Sequence, residues 1–200
     1  MRIRGEKLTF KRISRYTKKA LYERAHMLIY KMDIDCTPSS TKNAPDVTIA
    51  QIDKEYLDLL MRGKRPSHKM VMLGRLENGD RCFVAKRGDG ICGYSWVREH
   101  SYYFPEIYYK VNGDQRSIWI YDELIFEEER GKRIQHQILS EIFKWGRKEG
   151  YKNVYVGILS DNDPSLKAHS RFGFKNPVKE INMLKVLGIK KHKITVRGDG

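Results

Sequence analysis

Between residues 117 and 174 the chain alternates two apolar strands with two helices, and no other stretch restricts the fold as much. Residues 117–126 form a strand candidate carrying two large aromatics, Trp119 and Tyr121. Residues 132–149 then place Ile134, Ile138, Leu139, Ile142 and Phe143 on one face of a helix, which Gly150 ends. Residues 153–159 alternate only loosely, as a buried strand does. Asp161 or Asn162 starts a short helix ending near Gly173. A chain that interleaves strands and amphipathic helices in this way builds a mixed α/β sheet.

The flanks extend the pattern. Residues 46–52 read as a strand, followed by a helix capped by Asp53 with Tyr56, Leu57, Leu60 and Met61 on its buried side. Ser67 caps a second short helix carrying Met70, Leu73 and Leu76. Residues 81–87 and 91–99 form a hairpin around Gly88, Asp89 and Gly90, in a register that pairs Cys82 with Ser95 and Cys92 with Ala85. Residues 99–115 read as a Tyr-rich loop, and 180–187 and 193–196 as two closing strands. Near the start, residues 14–30 show near-helical spacing, which predicts a helix to about Ala25, with 27–34 either extending it or forming a strand. Loop chemistry over 36–45 then separates an N-terminal extension, residues 1–45, from a main domain, residues 46–200.

The chemistry concentrates where the helix begins just past Arg130 and Gly131. The first turn of a helix presents unpaired N–H groups and the positive end of its dipole, and a pyrophosphate fits there. Lys132 and Arg133 add positive charge. Here the chain resembles the GNAT superfamily of acyltransferases, whose motif is Gln/Arg-x-x-Gly-x-Gly/Ala. Arg130, Gly131, Lys132 and Ile134 match its common form, while Arg133 and Gln135 replace the two motif glycines. A second resemblance is to the family pattern Asn-x-x-Ala/Ser-x-x-x-Tyr/His-x-x-x-Gly-Phe, met by Asn162, Ser165, His169, Gly173 and Phe174. Element order extends the likeness over roughly residues 46–196. Taken singly, each match is also an ordinary helix start, helix cap or histidine. Their order and separation favour the functional reading.

The resemblance implies a mostly antiparallel sheet with helices on both faces, splayed between its fourth strand (117–126) and fifth strand (153–159). It implies an acetyl-CoA donor in that cleft. The backbone of Leu124, Ile125 and Phe126 would hold the pantetheine, Arg130, Gly131, Lys132, Arg133, Ile134 and Gln135 the pyrophosphate, and Asn162 and Ser165 would complete the donor site. An amine would attack the thioester directly, aided by a general base and an acid for the thiolate. Glu123 is the first candidate base, because a carboxylate in so apolar a strand needs a reason. Asp122, on the opposite face of that strand, is the second, and His169 is the candidate acid. Glu106 and His100 are weaker candidates, and each carboxylate also has a purely structural reading.

The formal net charge of +14 attracts anions, among them coenzyme A, an acidic acyl carrier protein and nucleic acid. Lys and Arg are spread along the whole chain, and no zinc-ligand spacing, helix-turn-helix or RNP-like motif appears, so a nucleic-acid-binding protein is the least favoured reading. The two replaced glycines motivate a different alternative, a GNAT fold that binds without catalysing. No apolar run reaches the length of a membrane span, and no signal peptide is seen. Three cysteines argue for reduced thiols and a cytoplasmic location. The acceptor amine is not legible, and a homodimer is the arrangement many family members adopt.

Overall fold

The computed structural model describes residues 21–36, 44, 46–52, 57 and 66–197. Eight strands form one sheet in the order β10-β9-β1-β8-β7-β4-β3-β2. They are β1 (Tyr22–Asp33), β2 (Thr48–Ile52), β3 (Arg81–Arg87), β4 (Gly90–Glu99), β7 (Ser117–Ile125), β8 (Asn153–Leu159), β9 (Pro177–Val186) and β10 (Ile189–Val196). A separate hairpin joins β5 (Ser101–Phe104) to β6 (Tyr109–Asn112). Among the described residues the α-helices are α1 (Pro66–Glu77), α2 (Ile134–Lys148) and α3 (Asp163–Phe172).

Every neighbouring pair in the large sheet is antiparallel except β7 with β8. That parallel pairing is short. It joins Ser117–Ile120 to Asn153–Val156 and goes no further, so Tyr121–Ile125 has no partner strand on that side. The sheet therefore opens between β7 and β8, at the place the resemblance implied.

Helices α2 and α3 cover one face. The five apolar residues expected on α2 are all buried, and they pack with Ile118 and Ile120 of β7 and Val154, Val156 and Ile158 of β8. Trp119 and Tyr121 alternate to the other face. There α1 and the β5–β6 hairpin supply the cover, with Trp96, Tyr94 and Met72 at one end and Phe104, Ile107 and Met183 at the other.

Several expectations need correction. Residues 22–25, expected as helix, begin β1, which lies between β9 and β8. On β1 the even positions Leu28, Tyr30 and Met32 face the helices, and the odd positions Met27 and Ile29 face the hairpin. A strand buried on both faces reads as a near-continuous apolar run, and such a run also satisfies helical spacing. The boundary drawn at residue 45 thus does not coincide with an edge of the sheet, since Tyr22–Asp33 lies inside it. Residues 14–20 and the helix capped by Asp53 fall outside the described residues, apart from Leu57, which is helical and fully buried. In α1 it is Met72 that is buried, while Met70 is 74% exposed. Cys82 pairs with Trp96 rather than Ser95, and Ala85 with Gly93 rather than Cys92, because a bulge between Ala85 and Lys86 shifts the register. The three thiols are free. The stretch expected as a Tyr-rich loop is the β5–β6 hairpin, whose Tyr102 and Phe104 pack edge to face at 4.7 Å.

Candidate active site

The opening between β7 and β8 starts at a bulge. Tyr94 pairs with Leu124 and Trp96 with Tyr121, so Asp122 and Glu123 together oppose Ser95. Asp122 takes φ +46°, in the left-handed region. Such a bulge bends the strand and re-aims its side chains. It sends Asp122 toward α1, where the carboxylate meets Arg75 in a close ion pair. Glu123 points the opposite way, toward α2 and α3. The expectation that these two carboxylates lie on opposite faces holds.

Glu123 and His169, expected as separate base and acid, touch each other. His169 Nε2 lies 2.8 Å from Glu123 Oε2, with the His169 side chain 1% exposed and that of Glu123 14%. The contact is too bent to count as a well-directed hydrogen bond, for Nε2 has no aligned acceptor. The proximity of opposite charges in a buried setting is what matters here, and the ion pair is the better description. The other ring nitrogen, Nδ1, lies 2.9 Å from the carbonyl oxygen of Ser165 and 3.3 Å from its Oγ. A carbonyl only accepts and a carboxylate accepts when ionised, so both nitrogens are best served by a proton. Burial pushes the His169 pKa down, but the Glu123 carboxylate and the Ser165 carbonyl outweigh it, and the net shift is upward. A partly exposed histidine, one of the readings open from sequence, is therefore not what stands here.

The donor-side residues divide. Gly131 has φ +78°, and a Cβ there would meet nothing within 4 Å, so the position uses glycine for its backbone and not for space. Arg133 stands at the N-cap of α2 in the same left-handed region, φ +61°, with no side-chain cap on the helix and no acidic residue in its first turn. The helix thus begins at Ile134, two residues later than the spacing suggested. Its uncapped N–H groups, with exposed Arg130, Lys132 and Arg133 around them, have the chemistry of a phosphate cradle. Ile134 contributes no side chain to the cradle, being 1% exposed and part of the core. Gln135 turns inward and donates to Glu123 Oε1 at 3.4 Å. Lys132 is tied to Glu129 at 3.2 Å, and Glu129 to Arg87 at 2.7 Å, which fixes the turn ahead of the helix. Arg130 Nε lies 3.4 Å from the Ile125 carbonyl, and Phe126 N–H donates to Cys92. Asn162 caps α3 by accepting from the Ser165 N–H at 3.3 Å.

On the α1 face Arg75 stacks over Trp96 and Tyr121, with its guanidinium carbon 5.0 and 5.1 Å from the ring centres. Tyr121 donates to the buried Asp80, which also accepts two hydrogen bonds from Arg98 at 2.6 and 2.7 Å. Burial raises the pKa of Tyr94 and of Tyr102 to about 12, so both remain neutral phenols. Sequence reasoning missed Arg75 and Asp80, since nothing in either one's own neighbourhood marks it. His100 and Glu106 stand apart. His100 is exposed at 3.6 Å from Glu99 and lines an open cleft of about 620 Å³ with Asp80, Arg98 and Lys110. None of Asp122, Glu123 and His169 borders that cleft, and the bulge carries the better-assembled chemistry.

A model described as the acetyltransferase (GNAT) family matches residues 49–174. The chain belongs to that family. No curated protein matches it. Among solved structures, the GNAT chain is similar to the aminoglycoside N-acetyltransferase AAC(6')-Iy in complex with the bisubstrate analogue CoA-S-monomethyl-acetylneamine (TM-score 0.55, 14% identity, covering 66% of this chain and 92% of that one). It is also similar to an N-acetyltransferase from Staphylococcus aureus Mu50 (TM-score 0.50, 20% identity, 66% and 86%). A third likeness is to a GCN5-related N-acetyltransferase from Sphaerobacter thermophilus (TM-score 0.53, 12% identity, 92% and 54%). At these identities the likeness is one of fold. Family membership makes the protein an N-acetyltransferase by class and is consistent with acetyl-CoA as its donor. Among the described residues no helix is long and apolar enough to cross a membrane.

Proposed function

We propose that this GNAT protein moves an acetyl group from acetyl-CoA to an amine by direct attack, with the thioester in the opening between β7 and β8. The observation that carries the reading is the coincidence, within one short segment, of that opening, the Asp122–Glu123 bulge and the uncapped start of α2. The pyrophosphate would sit on the N–H groups following Arg133, with Arg130, Lys132 and Arg133 balancing its charge and Gly131 shaping the turn. Of the three residues Leu124, Ile125 and Phe126, the backbone of Ile125, on the unpaired side of β7, is the one that would hydrogen-bond the pantetheine and polarise the acetyl carbonyl, since the Phe126 N–H already donates to Cys92 and Leu124 pairs with Tyr94 of β4. Asn162 and Ser165 would flank it from the start of α3.

The two carboxylates then take different parts. Asp122 faces the acceptor side and takes the proton of the attacking amine, directly or through water. Glu123 is occupied by His169 and Gln135 on the donor side. There it holds His169 as a protonated reservoir, and the proton that the departing thiolate recovers would pass from the buried ring through Glu123, the more exposed member of the pair. Acetyl-CoA and three reduced cysteines fit a cytoplasmic enzyme.

Titration calorimetry with acetyl-CoA and with coenzyme A, followed by thiol release in the presence of amines, tests the reading. Micromolar binding that weakens on Arg130→Ala and Arg133→Ala supports it. Absence of binding at millimolar donor overturns it.

A further inference from the structure

The acceptor side of the bulge holds two charges whose arrangement bears on the substrate, an inference that rests on the amine-acetylation reading above. Two Asp–Arg pairs lie within this region and they differ. Asp80 and Arg98 are joined by two hydrogen bonds, and Asp80 accepts a third from Tyr121 while being 4% exposed. That carboxylate is saturated and buried, although Arg98 itself is 34% exposed and lines the open cleft. Asp122 and Arg75 meet through one atom on each side, Oδ2 and Nη1, at the surface, with side chains 38% and 21% exposed. Among the described residues their remaining oxygen and side-chain N–H groups make no other hydrogen bond.

Each member has a support besides the other. Arg75 is held over the Trp96 and Tyr121 rings at 5.0 and 5.1 Å, and Asp122 is held by the bulge backbone at φ +46°. Asp122 also lies on the part of β7 that has left β8, beside the opening where the thioester would react. A cation placed there would engage Asp122 and compete with Arg75. An anion would do the reverse. A ligand that carries an ammonium and a carboxylate side by side satisfies both, because pre-positioned opposite charges are matched by pre-positioned opposite charges. On this face Leu73 and Leu76 of α1, Leu124 of β7 and Tyr102 of β5 are only partly buried against the core beneath. We infer that the acceptor is a free α-amino acid with an apolar side chain, its carboxylate on Arg75 and its amino group on Asp122.

The reaction balances without any other reactant. The bound ammonium gives up one proton through Asp122 to solvent. The neutral nitrogen attacks the acetyl carbonyl carbon, the carbon–sulfur bond breaks, and a second proton leaves nitrogen as one reaches the thiolate. The products are the N-acetyl amino acid and coenzyme A.

The test compares leucine with 3-methylbutylamine, which keeps the amine and the side chain but lacks the carboxylate, and with 4-methylpentanoate, which lacks the amine. Leucine should be acetylated with a kcat/KM at least tenfold above that of 3-methylbutylamine, and Arg75→Met should collapse that ratio toward one through the KM for leucine. Arg75→Lys, which keeps the charge but not the planar fork, should restore part of it. Equal use of leucine and 3-methylbutylamine by the unaltered protein, a comparison that needs no variant, overturns the proposal. Leucine is also titrated calorimetrically into the protein with and without coenzyme A. Binding of leucine, with none of 4-methylpentanoate, supports the site, and no binding of leucine in either state overturns it. A protein that fails to bind acetyl-CoA removes the acetylation reading, yet the leucine titration into the free protein still decides whether the zwitterion site exists.

Discussion

Glu123 and His169 form the contact on which most of the donor side turns. The imidazole is 1% exposed, and among the described residues the Glu123 carboxylate is its counter-charge. Glu123→Gln keeps the shape and removes that charge, so it should destabilise the fold by about 3 kcal/mol at neutral pH, as measured by urea denaturation. The pH dependence gives a sharper readout. In the unaltered protein the folded-state pKa of His169 is raised, so the folded state binds more protons than the unfolded state. The pair's contribution is complete below the unfolded value of about 6.5 and is lost as pH rises through the folded value. In Glu123→Gln only burial and the Ser165 carbonyl act on the ring and burial dominates, so the loss of stability with rising pH above about 6.5 should disappear and stability should instead rise with pH up to about 6.5. An unchanged slope contradicts the assignment of the shift to Glu123. Both residues could be picked from the sequence, one as a carboxylate in an apolar strand and one by its spacing from Asn162. Their contact could not, because it depends on a bulge that decides which way Glu123 points. Arg75 was illegible for a similar reason: an arginine on an ordinary helix acquires meaning only when α1 lies across Trp96, Tyr121 and Asp122.

At the scale of the element, the α2 face was legible because five apolar residues at helical spacing leave one arrangement that buries them all. The β1 strand was not, since burial on both faces erases the alternation that marks a strand. Two substitutions test the elements that frame the site. Gly93 of β4 lies against β7 just beyond the bulge, and a Cβ there would stand 2.5 Å from the Leu124 carbonyl oxygen and 3.1 Å from Ile125 Cα. Backbone cannot move aside as a side-chain tip can. Gly93→Ala should therefore cost about 2 kcal/mol and displace the segment proposed to hold the pantetheine, read as a lower melting temperature and a higher KM for acetyl-CoA. Arg133 tests the helix start in the opposite sense. A non-glycine residue at φ +61° carries about 1 kcal/mol of strain, so Arg133→Gly should stabilise the protein by up to about that amount in thermal unfolding while weakening the donor by removing one cation. Stabilisation together with tighter donor binding would mean that Arg133 obstructs the cradle and does not serve it.

For the whole molecule, the mixed sheet follows from the order of elements, but its strand order does not. Placing β1 between β8 and β9 joins segments far apart in sequence, and the opening between β7 and β8 exists only because their pairing stops at Ile120 and Val156. Net charge, by contrast, is a whole-chain property readable from composition, and +14 gives the protein a field that draws anions from a distance. That field and the local cations at the start of α2 predict separable effects on a polyanionic donor. The long-range part is screened beyond a Debye length of about 10 Å at 0.1 M salt, so the association rate of acetyl-CoA should fall as ionic strength rises from about 0.05 to 0.5 M. The local part lies at contact and is screened less. Arg130→Ala and Arg133→Ala should therefore act mainly through faster dissociation, while substituting lysines remote from the site, such as Lys144 on the exposed side of α2, should lower the association rate and leave dissociation alone. Stopped-flow measurement of both rates across the salt series separates the two. If salt leaves the association rate unchanged, the basic surface does not guide the donor and the excess charge must answer to another anion.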